Sequence, residues 1–380
     1  MKDGKIKNIC IISQGYPTEK QPWFPFVDQL LCAMSEQGVH CTVISPQSIS
    51  KNVVRNGEIR PVFWQREHKG HKIDIYQPKY LSFSNLKIGK YYLTHLTFEK
   101  QVIKCFAKLG QKFDAVYGHF WICGLIAAKI GQAYGIPAFM ACGESKINYD
   151  ALKRNLRYKD QLKGIVCVSS KSRDESLALG LCSADKTIVC PNAIDTEKFY
   201  AMDRVVCREE LGANQEDFVV AFVGAFSARK GSRRLSQALS RIDGVKSIFI
   251  GKGDEIPECD GQIYAGPLPH DQICKYLCAA DVFVLPTRNE GCCNAIVEAM
   301  ACGLPIISSD LQFNDDILNE ACSIRIDPDD IDALEKAIRT LVEDPERRCS
   351  MRQASLEMAK SLTLPERARK ILAFIEEHIY

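Results

Sequence analysis

Short apolar runs recur along this chain, each stopped by glycine, proline or a polar cluster, and most alternate with stretches of helical period. In the first half, residues 8–13, 40–45, 114–118, 136–142 and 164–169 read as buried strands. The segment FPFVDQLLCAMSEQ (24–37) reads as a helix between the first two, and further helices run to Tyr134 and over 171–180. The second half repeats the alternation. Strands fall at 218–223, 281–286 and 304–308, and KSIFIGKGD (246–253, with Asp254) gives a strand and then a glycine loop. Helices are predicted over 295–301, 329–343, 345–360 and 365–378. Repeated strand–helix–strand units of this length build parallel sheets covered on both faces, so the fold class is α/β. Residues 46–80 read as polar and irregular. From 80 to 112, Leu, Ile and Phe are interleaved with Lys87, Lys90, Lys100, Lys104, Lys108 and Lys112. This pattern fits an ordinary helix with lysines in water, or an amphipathic helix pair lying on an anionic membrane face.

Length and composition narrow the picture. At 380 residues the chain suits two domains, and 46% hydrophobic with 25% charged residues describes an ordinary globular protein. It has 18 cysteines but no Cys-x-x-Cys pair, and Cys10, Cys41, Cys167 and Cys190 sit inside apolar runs. Such cysteines act as small hydrophobes, which predicts a reducing, cytoplasmic setting with neither a zinc site nor a disulfide framework. The first residues lack a signal-peptide core, and no uncharged apolar stretch reaches the ~18 residues of a membrane span. The net charge of +2 conceals a division. Residues 1–184 hold 26 Lys+Arg against 14 Asp+Glu, and the remainder holds 23 against 33. A basic half suggests an anionic surface or substrate, and scattered solvated lysine is the other reading.

Candidate chemistry concentrates in residues 281–310, DVFVLPTRNEGCCNAIVEAMACGLPIISSD. Here a strand, a loop, a helix with Asn294 as predicted N-cap, a Gly303 stop and a second strand follow in quick succession. Glu290 in the loop and Glu298 in the helix are separated by seven residues and flank a helix N-terminus, which favours a phosphate. An elongated ligand with hydroxyls at both ends and phosphate between, such as a nucleotide sugar, fits that layout. Taken alone, the two glutamates read more readily as a solvated loop carboxylate and a residue complementing the helix dipole. Upstream, the strand 218–223 leads through Gly224 to Arg229-Lys230-Gly231, which places two cations at another helix start.

NEGCCNAIVEAMACGLPIISSD resembles the E-x7-E segment of glycosyltransferase family 4, retaining enzymes of the GT-B fold, which has two facing Rossmann-like domains and an interdomain cleft. Other segments extend the resemblance. Pro191-Asn192-Ala193-Ile194-Asp195, running on to Phe199, is similar to the family hinge, with Ala193 in place of the usual glycine. HFWICG after a strand is similar to the segment whose histidine, here His119, lies close to the transferred sugar. Gly143-Glu144-Ser145 resembles a short family loop. The resemblance implies an N-terminal acceptor domain over 1–188 and a nucleotide-sugar domain over 189–363, with the last helix (364–380) packing back on the first. It implies Arg229 and Lys230 on the donor diphosphate, Glu290 on sugar hydroxyls, Glu298 on the ribose and His119 on the sugar. Gly291, Cys292, Cys293 and Asn294 would supply the helix start, and Gly224, Gly251, Leu268 and Asn192 would line the nucleotide. Gly15 stands where the family often has a glycine-rich phosphate loop. Here Pro22, Trp23 and Pro25 replace a second glycine, so this loop, similar to that of the polysaccharide-building branch, is expected to shape the acceptor site.

The expected reaction is therefore sugar transfer from a nucleoside diphosphate sugar, most often UDP-linked, to a glycan or lipid-linked glycan. No cofactor is expected, no metal (there is no Asp-x-Asp at a strand end) and no nucleic-acid partner. The expected location is cytoplasmic, with peripheral contact at the inner membrane face. An epimerase of the same fold and a non-catalytic carbohydrate-binding protein are the alternatives.

Overall fold

The structure is a computed structural model, and it describes residues 6–18, 24–54, 58–84, 86–89 and 91–379. Pro22, Trp23 and Lys90, on which sequence expectations rested, lie outside the described residues. The chain forms two compact units, one reaching Cys190 and including the last helix from Leu364, the other spanning Pro191–Thr363. The division thus falls two residues past the boundary read from the hinge motif.

The first unit holds strands β1 (Asn8–Ile12), β2 (His40–Ile44), β3 (Phe63–His68), β4 (His71–Tyr76), β5 (Ala115–His119), β6 (Ala138–Cys142), β7 (Leu162–Cys167) and β8 (Thr187–Val189). They make one sheet in the order β8-β7-β6-β5-β1-β2-β4-β3, parallel except for the β3–β4 hairpin. Its longer helices before the division are α1 (Pro25–Glu36), α2 (Leu93–Phe106), α3 (Phe120–Tyr134) and α4 (Ser170–Ala178). Alternation along β1 serves both faces of the sheet. Ile9 and Ile11 pack with Val27, Leu31 and Met34 of α1, whereas Cys10 and Ile12 pack with Phe98 and Val102 of α2 and Ile126 of α3. A parallel sheet buried on both sides requires such continuous apolar strands.

In this unit one expectation is corrected, and of two readings of the lysine-rich stretch the ordinary helix holds. Residues 46–80 are not irregular: they contain the β3–β4 hairpin and a short pairing of Gln47–Ser48 with Lys79–Tyr80. The hairpin turns on Lys69 and Gly70, both at positive φ (47° and 80°), a pair suited to tight reversal. The lysine-rich stretch forms one helix, α2, rather than a helix pair. Its Phe98, Val102 and Phe106 are buried in the core, while Lys100 and Lys104 are exposed. The apolar face is thus already used, which excludes it as a membrane-inserting face.

The second unit holds α5 (Arg204–Leu211), α6 (Ser232–Leu239), α7 (Ile273–Cys278), α8 (Asn294–Ala301), α9 (Ile331–Glu343) and α10 (Pro345–Lys360). Its strands are β9 (Phe218–Val223), β10 (Val245–Ile250), β11 (Gln262–Gly266), β12 (Val282–Leu285), β13 (Ile306–Ser309) and β14 (Ser323–Ile326). They form an all-parallel sheet in the order β11-β10-β9-β12-β13-β14. The order reverses direction between β9 and β12, and ligands of open α/β sheets bind beyond the strand ends at such a switch point. Asp281, just before β12, fixes this centre: it takes Arg208 (2.6 Å) and Arg204 (2.5 Å) and accepts the Val219 amide at 2.8 Å. The last helix, α11 (Leu364–Ile379), belongs to the first unit, where Ile371, Phe374 and Ile375 join the core beside α1. Among the described residues no helix is long and apolar enough to cross a membrane.

Candidate functional site

Beyond the end of β9 the chain passes Gly224 and reaches Arg229 and Lys230 before Gly231 starts α6. Gly231 has φ 82°, and a Cβ there would stand 2.7 Å from the Pro286 carbonyl, so glycine is required on two counts. Beyond β12 lies the loop with Thr287 and Glu290. The two loops meet on one oxygen. Arg229 Nη1 lies 2.5 Å and Lys230 Nζ 2.7 Å from Glu290 Oε1, and the Thr287 hydroxyl donates to the same oxygen at 3.0 Å. Arg229 also donates to the Asn289 carbonyl at 2.6 Å.

Lys230 Nζ sits 3.9 Å from Cys293 Sγ, the N-cap residue of α8, so a cation and a helix N-terminus converge. Burial opposes the lysine's charge, but Cys293 and Glu290 beside it outweigh burial and raise its pKa. Lys230 is accordingly a fixed cation. A position held by two cations and a hydroxyl next to a positive dipole end suits a phosphate oxygen.

Asn294 is not the N-cap. It is the first helical residue, and its side-chain oxygen accepts from Asn192 Nδ2 at 2.7 Å. Asn192 Nδ2 also donates to the Cys292 carbonyl at 3.1 Å, so the hinge asparagine ties down the loop ahead of α8 and takes Asn294 from the capping role. Gly291, Cys292 and Cys293 are buried in this loop. Ala193, standing for the family glycine, has no positive φ, so alanine fits there without strain.

Glu298 lies in the middle of α8 and pairs with His270, Nε2 to Oε1 3.1 Å. This hydrogen bond is the main cause of a raised His270 pKa. The His270 ring packs edge-on against Phe199 at 5.0 Å. Gly224 and Gly251 follow the adjacent strands β9 and β10, and a Cβ on Gly251 would lie 1.9 Å from the Gly224 carbonyl oxygen. Leu268 follows β11, half-buried. The structure therefore gathers Arg229, Lys230, Glu290, Cys293, Asn294 and Asn192 around one helix start, with Glu298 further along that helix.

His119 and Gly15 belong to the other unit: His119 is the last residue of β5, and Gly15 lies beyond the end of the neighbouring strand β1. His119 is buried at 4% exposure, and its Nε2 has no hydrogen-bond partner. Burial first, and Arg367 second, push its pKa down to about 3, so the ring is neutral. The ring packs on Phe26 (5.7 Å) and Tyr117 (5.5 Å). Phe120, directly after it, has φ 68°, a strained backbone position for a residue with a bulky side chain. Gly15 makes room for the Phe24 ring, which would stand 2.4 Å from a Cβ there. It borders a cavity of about 360 Å³ walled by Gln14, Tyr16, Gln47, Arg60 and His95.

Sequence reasoning gave no role to three residues that the structure makes prominent. Thr287 is fully buried and holds Glu290. His270 holds Glu298. Glu144 puts its carboxylate on the amides of Trp121 (2.7 Å) and Gly143 (3.1 Å), supplying the first turn of α3 with an anion from the protein itself. Thr287 and Glu144 lie inside segments quoted above and His270 two residues past Leu268, so position beyond a strand end was the available signal.

Known proteins resemble this chain over most of its length. The family model of the glycosyl transferases group 1 matches residues 204–358. The putative teichuronic acid biosynthesis glycosyltransferase TuaC of Bacillus subtilis is 26% identical over 350 residues, covering 87% of this chain and 88% of its own. Sucrose-phosphate synthase from Thermosynechococcus elongatus superposes with a TM-score of 0.73 at 19% identity, over 96% of this chain and 97% of that one. HepE of Anabaena, solved in complex with UDP, superposes with a TM-score of 0.71 at 16% identity, over 98% and 100%. The chain thus has the GT-B fold of its structural neighbours, and its second unit, where the cations meet Glu290, carries the match to the glycosyl transferases group 1 model.

Proposed function

We propose that this glycosyltransferase moves a sugar from a UDP-sugar, with retention of anomeric configuration, to a glycan or lipid-linked glycan during surface polysaccharide synthesis. The observation that carries the donor reading is the single carboxylate oxygen held by both Arg229 and Lys230 at the start of α8. A donor phosphate oxygen would take that position, and Glu290, displaced, would turn to the sugar hydroxyls. The difficult step is departure of an anionic diphosphate from an oxocarbenium-like carbon. Once Glu290 has turned away, cations already in place, one of them half-buried, stabilise that growing charge. Glu298 would accept from the ribose, with His270 holding it in place.

Two cations and a helix dipole supply the charge compensation that a divalent ion supplies elsewhere, so transfer is proposed to need no metal on the diphosphate. For His119 the proposal keeps a contact with the transferred sugar, and a neutral ring suits a group that exchanges a hydrogen bond without charge. Retention is proposed to follow a same-face route, in which the leaving phosphate itself takes the acceptor proton. Trapping of a glycosyl–enzyme adduct on a carboxylate would contradict that route.

The acceptor reading rests on TuaC, whose name places it in teichuronic acid biosynthesis, and on the cavity beside Gly15, whose wall carries Gln14, Gln47 and Arg60. Exposed Lys100, Lys104, Lys108 and Lys112 support a cytoplasmic enzyme that approaches an anionic membrane face by charge alone. A thermal-shift panel of UDP-, GDP- and ADP-sugars tests the donor. UDP-sugars should raise Tm most, and a panel without any shift would overturn the reading. Salt-sensitive binding to anionic vesicles is expected, and binding indifferent to salt would count against the membrane reading.

A further inference from the structure

The second unit contains a sulfur cluster apart from the nucleotide site. Cys274 and Cys278 lie one turn apart on α7, and Cys302 follows the last residue of α8. Their Sγ atoms all lie within 4.8 Å of one another, and the three residues are at most 4% exposed. Cys274 Sγ and Cys302 Sγ are 3.8 Å apart. The Tyr200 carbonyl oxygen lies 3.4 Å from Cys274 Sγ and 3.3 Å from Cys278 Sγ. The Met202 amide donates to Cys278 Sγ at 3.4 Å, and Met202 Sδ is 4.0 Å from Cys274 Sγ.

From these distances we propose that Cys274, Cys278 and Cys302, with the Tyr200 carbonyl as fourth donor, form a structural site for a thiophilic divalent ion of the Zn²⁺ class. Zinc–sulfur bonds of about 2.3 Å set a tetrahedral edge of roughly 3.8 Å, which is the Cys274–Cys302 separation. A shorter zinc–oxygen bond draws the sulfur–oxygen edges in, to about 3.6 Å, so the Tyr200 oxygen needs only a small adjustment. Binding would displace the thiol protons to solvent. A divalent ion leaves the buried group with one net negative charge and a monovalent ion leaves two, so Zn²⁺ is favoured over Cu⁺, which the thioether of Met202 would otherwise suit. The Met202 N–H supplies a hydrogen bond to one sulfur, as outer partners of metal ligands do. No Cys-x-x-Cys spacing announces the site. A one-turn pair on a helix and a residue 24 positions further on are joined only by the fold. Loading would clasp α7 to the C-terminal end of α8, the helix whose start carries the cation cradle.

The test uses the full chain, reduced and stripped of metal, titrated with Zn²⁺ or anaerobically with Cu⁺ against a chromophoric chelator. One Zn²⁺ per chain should bind and raise Tm. Cys278→Ala and Cys302→Ala should each lose affinity by more than the roughly 10–100-fold cost of removing an outer-shell partner. Cys349→Ser, which removes an exposed thiol elsewhere, should bind as wild type. Should the cluster variants fail to fold, the wild-type protein still decides. Co²⁺ should give a charge-transfer band scaled to three thiolates, and Zn²⁺ should shield these three cysteines, but not Cys322, from alkylation. Stoichiometric Cu⁺ binding with no Zn²⁺ binding would overturn the assignment of the ion. Absence of binding, loss of binding in Cys349→Ser, or alkylation unaffected by zinc would overturn the site.

Discussion

His119 offers a perturbation whose size follows directly from its surroundings. Its imidazole is buried against Phe26 and Tyr117, with Arg367 adding repulsion to any positive charge, and its pKa falls to about 3. In the unfolded chain the same ring titrates near 6.5. Between these values the unfolded state binds a proton that the folded state refuses. Stability is therefore lost as pH falls through about 6.5, and the loss continues until about pH 3. At pH 5 the unfolded ring is almost fully protonated and the folded ring is not, which gives a cost of about 2 kcal/mol relative to pH 7. The size at pH 5 is set by the unfolded ring alone, since pH 5 lies well above the folded pKa.

In His119→Gln this component should vanish. Tryptophan fluorescence is a suitable probe, because all three tryptophans (Trp23, Trp64 and Trp121) lie in the first unit's chain segment. Urea unfolding of wild type and variant at pH 7 and pH 5 should show the wild type losing about 2 kcal/mol more than the variant over that interval. Equal losses, within about half a kcal/mol, would mean that the folded ring takes up a proton in this range. A charged His119 would then replace the neutral contact proposed for the sugar.

Other outcomes follow from the second unit. His270→Ala should raise the donor KM several-fold with little change in kcat, because Glu298 loses its positioning partner; a change in kcat alone would place His270 in the chemistry. The same pair should strengthen donor binding below about pH 6.5 and lose that advantage as pH rises through the elevated His270 pKa, which a KM–pH profile reads. Asp281→Asn should cost about 3–5 kcal/mol in urea unfolding, since it leaves the fully buried Arg208 without its carboxylate, while activity per folded molecule is retained. Adding Mn²⁺ or Mg²⁺ to enzyme in divalent-free buffer should leave turnover unchanged, and activity only on addition would contradict cation-based catalysis.

Much of this architecture can be read in the sequence, because parallel strands buried on both faces leave continuous apolar runs with sharp ends. Pro345–Lys360, bounded by Asp344 and proline at the start and Ser361 after it, shows how local signals mark the ends of a helix. The β3–β4 hairpin gives no such signal. Along β3, exposed and half-exposed residues alternate, so apolar periodicity is absent and only the Lys69-Gly70 turn betrays it. Asn294 illustrates a different failure: its type favours capping, but a long-range bond from Asn192, 102 residues away, takes its side chain instead. The pairing of Arg229 and Lys230 with Glu290 links loops some 60 residues apart and could be anticipated only through the motif resemblance. The cysteine cluster had no motif to carry it at all.

Isothermal titration of UDP into wild type, Lys230→Met and Arg229→Met bears most directly on the cradle at the start of α8. Each substitution should weaken UDP binding by roughly 10–100-fold, since a charged hydrogen bond contributes about 1.5–3 kcal/mol, with circular dichroism unchanged. UDP bound as tightly by both variants as by the wild type would show that the diphosphate lies elsewhere, and the account of this enzyme's donor site would fail.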